Sequence, residues 1–263
     1  MALIPIVAAA LVGLVIVAGS GGNAAIGEHP DSAGYNDLLA AMEAADLPDD
    51  WQVFLAATAY RESKWHNDVG LGPNDAPGRP PWFRDSKAGP KTQANEAKAA
   101  CRAYEKNFDK WFRNSPYPAA RYCFGSGGWF GLLPAYGVIS GFKATPELIP
   151  QIDPWDVSDP LVSLVMAIGL ARGLMNWQQF EEGGGTWLAL RIGWGNPSAM
   201  DEAQSKLDIR KSFGEQLGIL DVPPSFMDRR PSPLTIPKGG HLLELLERRE
   251  AQAREALGWP EAA

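Results

Sequence analysis

The sequence predicts a mainly α-helical protein, with an apolar helix at its N-terminus and a linker plus an amphipathic helix at its C-terminus. Apolar residues recur at helical spacing in most segments between residues 31 and 221. No series of short alternating segments would build a sheet. The chain has 263 residues, 45% of them hydrophobic, which is enough for one large domain or two small ones with a real core.

Composition argues against nucleic acid as a partner. The formal net charge is −7 and the pI is near 5.1, whereas nucleic-acid binding needs a basic patch or stripe. Cys101 and Cys123 have neither CxxC spacing nor a histidine at ligand spacing, so we expect no metal site and no cofactor. One disulfide and two buried thiols are both compatible with this pair.

Residues 2–18 form an apolar segment without charge. As a helix it would span about 25 Å, near the lower limit for crossing a bilayer core of about 30 Å. Secretory signals normally open with a cationic segment, but no Lys or Arg precedes Arg61. We therefore expect residues 1–22 to be a retained helix, anchored in a membrane or buried in an assembly, and residues 23–30 to be a linker. The missing positive charge leaves membrane orientation undetermined.

Two helices are predicted at the start of the domain formed by residues 31–221. The first is expected near residues 32–47 and ends before Pro48. Asp49 or Asp50 then caps the second helix, because short acceptor side chains are favoured at that position. This second helix leads into the sequence TAYRESKW.

The middle of the domain is predicted to hold a long loop, a helix and a glycine-rich stretch. Residues 67–90 are rich in Gly, Pro and Asp, which is typical of a loop. Residues 92–114 carry apolar side chains at helical spacing. Residues 124–137, FGSGGWFGLLPAYG, place five glycines among aromatic residues. Glycine lets the backbone approach a ligand closely, and this stretch is not a regular helix throughout.

Further helices are predicted in the last third of the domain. Asp159 and Pro160 indicate a cap and first turn, and residues 183–185, three glycines, end that helix. A short helix begins near Thr186, and a final domain helix is expected around residues 200–213.

The C-terminal segments are predicted to lie outside the domain core. Residues 222–240 are rich in proline and predict an extended linker without a core of its own. Residues 241–263 predict an amphipathic helix whose leucines need a partner. Self-association, docking on the domain and a weak coiled coil all remain open.

Glu62 is the residue that carries most functional information. It occupies the next position on the apolar stripe of the second helix, which consists of Trp51, Phe54, Leu55, Thr58 and Ala59. Eleven residues at about 100° each bring Glu62 within roughly 20° of Trp51 around the helix axis. We therefore expect the carboxylate to point inward, where desolvation favours the protonated form and makes a Glu a proton donor at neutral pH. The alternative is an ordinary helix-end carboxylate paired with Arg61 or Lys64.

Three segments resemble, in their order, the lytic transglycosylases of the lysozyme-like superfamily. They are AYRES at a helix end, the glycine-aromatic segment ending in GLLP, and a helix followed by GWGNP. The resemblance covers about residues 31–220 and implies a lysozyme-like fold that cleaves the β-1,4 bond between N-acetylmuramic acid and N-acetylglucosamine in peptidoglycan. It makes Glu62 the catalytic acid, which protonates the glycosidic oxygen. Glu62 then takes the proton of the C6 hydroxyl as a 1,6-anhydro ring closes, without water or a second carboxylate.

The same resemblance implies substrate-binding residues around Glu62. Ser63 is expected to touch the substrate or the Glu62 side chain, and Gly131 replaces a Gln that the family often has there. Trp194 and Asn196 replace the usual Tyr-Asn pair. Trp194 stacks on a sugar or packs in the core, and Asn196 orients an acetamido group or caps the following helix. The remaining candidates for the cleft are Trp129, Phe130 and Tyr136.

Two alternative functions remain open. Ordinary glycosidases need two acidic groups, and Asp68, Asp75 or Asp85 would supply the second one in a lysozyme-type muramidase. Alternatively, the chain is a catalytically inactive lysozyme-like structural or ejection protein of a phage particle, as its departures from the family pattern suggest.

Partners and location follow from the same hypotheses. The expected partners are peptidoglycan glycan strands, a membrane or protein assembly at the N-terminal helix, and a second copy or a virion protein at the C-terminal helix. The expected location is a membrane facing the periplasm or cell wall, or a phage virion.

Overall fold

The structure is a computed structural model that describes residues 33–66, 128–132, 159–236 and 239–257. Over these residues the protein is mainly helical and contains no strand, as the sequence predicts. The N-terminal apolar segment, the loop and helix predicted between residues 67 and 114, and both cysteines lie outside the described residues. Within the described part of the chain, no helix is both long enough and apolar enough to span a bilayer.

Helix α2 is the centre of the described core. The α-helices of the described residues are α1 (Ala33–Ala44), α2 (Asp49–Ser63), α3 (Pro160–Met175), α4 (Gln178–Glu182), α5 (Trp187–Gly195), α6 (Ala203–Ile219) and α7 (His241–Leu257). Short 3-10 helices span Pro197–Ala199 and Pro224–Asp228. All residues of α2 from Trp51 to Ala59 are buried, because α1 and α6 pack on it and α5 places Trp187 against Phe54.

Two predicted helix starts are confirmed. Helix α3 begins at Pro160, and the Asp159 carboxylate accepts hydrogen bonds from two backbone amides of the first turn at 3.0 and 3.2 Å. Helix α5 begins at Trp187, and the Thr186 hydroxyl accepts from the amide three residues on at 3.3 Å. Both caps satisfy amides that lack a partner within the helix.

The cap predicted for α2 is wrong. Pro48 occupies the N-cap position without a side-chain hydrogen bond, and Asp49 and Asp50 lie in the first turn. The Asp50 carboxylate instead accepts from the Ser232 amide at 2.8 Å and the Ser232 hydroxyl at 2.7 Å. A partner 182 residues away in the sequence decides its role.

The helix predicted from Pro160 to the three glycines is in fact two helices. Helix α3 ends at Met175, and extended backbone at Trp177 separates it from α4. The side chain of Phe180 is buried, so apolar spacing continues across the break and hides it. Gly183 follows the last residue of α4, so the glycines end this second helix and not α3. Helix α6 also lies further along the chain than the expected residues 200–213.

The proline-rich segment packs on the domain. Phe226 is 3% exposed, and Trp51 Nε1 donates to the Ser232 carbonyl at 3.0 Å. Residues 222–236 therefore pack against the domain core, where the sequence predicts an extended linker without a core of its own. The backbone amide and carbonyl of Ser232 in this segment bond to side chains in the first turn of α2.

Helix α7 docks through its first two turns. Leu242, Leu243 and Leu246 are 4%, 7% and 1% exposed and belong to the same apolar cluster as α2. Of the three alternatives that the sequence left open, the structure shows docking on the domain for this part of the helix.

Candidate active site around Glu62

Glu62 lies in the last turn of α2, where the chain is firmly held. Lys64 and Trp65 follow with φ of +57° and +61°, a region that costs a non-glycine residue roughly 1–2 kcal/mol. The Lys64 amide donates to the Tyr60 carbonyl at 2.9 Å, and Trp65 Nε1 donates to the Ala56 carbonyl at 2.8 Å. Strained backbone of this kind clusters at functional sites, and here it directly follows Glu62 and Ser63.

The Glu62 carboxylate forms an ion pair with Arg191 of α5. Arg191 Nη2 donates to Glu62 Oε1 at 2.9 Å. The Glu62 side chain is 31% exposed, whereas that of Arg191 is 7% exposed. Because α2 ends one residue after Glu62, the apolar side of the helix reaches the protein surface at this position. The expected apolar enclosure is therefore wrong for the described residues.

Neither of the local pairs considered from the sequence forms this contact. The Lys64 ammonium lies 3.8 Å from the centroid of the Tyr60 ring, as a cation-π contact. Arg61 is exposed and acts on Arg191 only through its charge. The partner of Glu62 instead comes from 129 residues further along the chain.

Arg191 is held at an energetic cost. Burial lowers its pKa, the charge of Glu62 opposes that effect, and the charge of Arg61 adds to it. Its Nε is buried without a hydrogen-bond partner. Since a buried ion pair often contributes less stability than apolar residues of similar volume would, packing alone does not account for this arginine.

Ser63 ties the glycine-rich turn to α2. Its hydroxyl lies 2.7 Å from the Trp129 carbonyl and 3.0 Å from the Ala59 carbonyl, and both can accept its single proton. Ser63 is 8% exposed. The Ser63 hydroxyl therefore bonds to two backbone carbonyls and not to Glu62, and its contact with substrate stays a prediction.

Gly131 borders the carboxylate. Its φ is +57°, and its amide donates to the Gly128 carbonyl at 3.3 Å. A methyl group built on Gly131 would lie 3.8 Å from Glu62 Cβ and 4.0 Å from Glu62 Oε2. The glycine-rich turn therefore approaches Glu62 by its backbone, on the Oε2 side.

The aromatic candidates divide into core and surface. Trp129 and Phe130 are 0% and 1% exposed, so they form core rather than cleft. The ring of Trp194 is partly buried, 6.1 Å from that of Phe130 and 6.0 Å from that of Phe54. Trp194 is the aromatic candidate among the described residues that retains accessible surface.

Asn196 caps the helix that follows it, which is one of the two roles that the sequence left open. Its Oδ1 accepts from the Ser198 amide at 3.3 Å and begins the 3-10 helix Pro197–Ala199. Tyr136 and the three aspartates considered for a second acid lie outside the described residues. Within the described residues, no group of three or more His, Cys, Asp or Glu is suited to hold a metal ion.

The three motifs of the resemblance come together in space. AYRES contributes Glu62 and Ser63, the glycine-aromatic segment contacts both of them, and the third segment contributes Arg191 to Glu62 and Trp194 to Phe130. No family model, curated protein or solved structure matches this chain.

Arg191 is the site residue that the sequence reasoning missed. It is the one charged residue between Glu182 and Asp201. An arginine alone in an apolar helix is rarely buried without a counterion, so this pattern was the available signal.

Proposed function

We propose that the chain is a peptidoglycan lytic transglycosylase with a lysozyme-like fold, and that Glu62 serves as its single acid and base. The observation that carries the proposal is the convergence of three motifs that lie far apart in the sequence. Glu62 lies against the turn at Gly131 and against Arg191, and Trp194 reaches the same turn through Phe130.

The two oxygens of Glu62 have different surroundings. Oε1 accepts the hydrogen bond from Arg191. Oε2 faces Gly131 and has no hydrogen-bond partner among the described residues. Oε2 is therefore the oxygen that would carry the proton, and the absence of a side chain at position 131 leaves space beside it.

The reaction needs no other proton carrier. Oε2 gives its proton to the glycosidic oxygen as the bond from C1 of the muramic acid to that oxygen breaks. The C6 hydroxyl oxygen then bonds to C1, and its proton passes to Oε2, which restores the acid. Such proton transfer by a positioned side chain contributes about 10²–10⁴-fold to a rate.

Peptidoglycan glycan strands are the substrate in this proposal, and the apolar N-terminal segment attaches the enzyme to a membrane or an assembly. The site would then face the periplasm or the cell wall. An anchored enzyme of this kind also suits a phage particle that opens the envelope during entry.

The ion pair between Glu62 and Arg191 favours a second candidate, an inactive lysozyme-like structural or ejection protein of a phage particle. In that case Glu62 is retained as the counterion of a buried arginine. The two candidates differ in whether the folded chain cuts glycan, so activity measurements separate them.

The test is digestion of purified sacculi by the full-length chain and by its Glu62→Gln variant. Glu181→Gln is the matched control, because Glu181 is also paired with an arginine, Arg230, but at an exposed site. We expect the wild type and the control to release soluble sugar fragments equally, and Glu62→Gln to be at least about 100-fold slower. Retained activity in Glu62→Gln would eliminate Glu62 as the acid. A wild type that is helical by circular dichroism yet releases nothing would overturn the proposed enzyme and favour the second candidate.

A further inference from the structure

The guanidinium of Arg191 is fixed more firmly than the carboxylate it contacts. Arg191 lies in the middle of α5, in which every residue from Trp187 to Gly193 is buried. Thr186 caps the start of the helix. A side chain with 7% exposure in such a helix has little freedom to turn away, so the 2.9 Å contact is held from the arginine side.

Stability does not explain why this position is an arginine. Burial is the largest effect on the pKa of Arg191, and it lowers that pKa despite the opposing effect of Glu62. An unbranched apolar side chain of similar volume, such as methionine, would avoid that desolvation. The ion pair therefore suggests a task at Glu62 itself.

We propose that Arg191 is a positioning residue for Glu62, holding Oε1 so that Oε2 stays on the side of Gly131. This inference rests on the proposed function. Its consequence is that loss of the guanidinium lowers the rate of the chemical step and leaves the binding of glycan unchanged.

Among the described residues, Arg191 is the cation that directly contacts the Glu62 carboxylate. Arg61 is exposed on α2 and acts on Arg191 only through its charge. The turn of residues 128–132 carries no titratable side chain that would compete for the guanidinium.

The experiment measures kcat and KM separately for sacculus digestion. It compares the wild type with Arg191→Lys, Arg191→Met and Arg191→Gln. Arg210→Met is the matched control, because it removes an arginine paired with Asp228 at an exposed site that shares no residue with the candidate site. The two neutral variants guard against a failure of either one to fold.

We expect kcat to fall about tenfold or more in the neutral variants, because Glu62 Oε1 loses the donor that fixes it. Arg191→Lys keeps a positively charged donor and should retain most of the wild-type kcat, and Arg210→Met should retain all of it. KM should stay unchanged, because the buried arginine does not touch the glycan.

Three results decide against parts of this account. A folded neutral variant with the wild-type kcat overturns the role of Arg191 and leaves the proposed function intact. A loss of kcat in Arg191→Lys as large as in the neutral variants also overturns that role. A folded wild type that releases no fragments overturns the proposed function, and this inference with it.

Discussion

Removing Glu62 and removing Arg191 should lower the free energy of unfolding by unequal amounts. Glu62→Ala leaves a buried guanidinium without its counterion, whereas Arg191→Met leaves a carboxylate that water already reaches over 31% of its side chain. Losing one partner of a fully buried pair costs about 3–5 kcal/mol. Because water screens this pair from the Glu62 side, we expect about 2 kcal/mol for Glu62→Ala.

Arg191→Met should cost within about 1 kcal/mol, since it also removes the desolvation of the arginine. The double variant should be about as stable as Arg191→Met alone, which gives a coupling of about 2 kcal/mol in a double-mutant cycle. Urea unfolding followed by circular dichroism measures all four proteins. For a chain of this size, about 2 kcal/mol corresponds to a lowering of Tm by about 4–8 °C. The reasoning fails if Arg191→Met is the more damaging change, or if the two effects simply add.

Three further predictions test the fold around the site. Gly131→Ala forces a side chain onto a φ of +57° and should lower the free energy of unfolding in urea by about 1–2 kcal/mol; an unchanged stability would contradict backbone strain at this position. Leu246→Ala, at a residue that is 1% exposed, should cost about 2–5 kcal/mol, whereas the control Leu207→Ala, at 68% exposure, should cost almost nothing; equal effects would contradict docking of α7. Burial, and then the charge of Glu43, raises the pKa of Tyr35 to about 12. The stability that the neutral Tyr35 contributes should therefore be fully present below about pH 10 and be lost as the pH rises toward 12. Tyr35→Phe should remove this dependence of the free energy of unfolding on pH, and an unchanged dependence would contradict the prediction.

Local signals in the sequence predicted the helices well. Asp159 and Pro160 mark the start of α3, and Thr186 marks that of α5, because a cap and its amides are neighbours in the chain. The break near Trp177 was not predictable from periodicity, since the buried side chain of Phe180 continues the apolar spacing beyond it.

Features that depend on distant partners were predicted less well. The carboxylate of Asp50 binds Ser232 and is therefore not a cap, which nothing near Asp50 indicates. Helical spacing placed Glu62 on the apolar stripe of α2, but spacing does not show that α2 ends there or that Arg191 arrives from α5. Side-chain direction follows from helical geometry, whereas exposure and charge partners follow from tertiary packing.

The chemical nature of the glycan ends is the most direct test of a mechanism that uses one carboxylate. Mass spectrometry of fragments released from sacculi by the wild type should find muramic acid ends in the 1,6-anhydro form, because the C6 hydroxyl replaces water as the nucleophile. Reducing ends instead, larger by one water, would contradict the account and indicate a muramidase with a second acid.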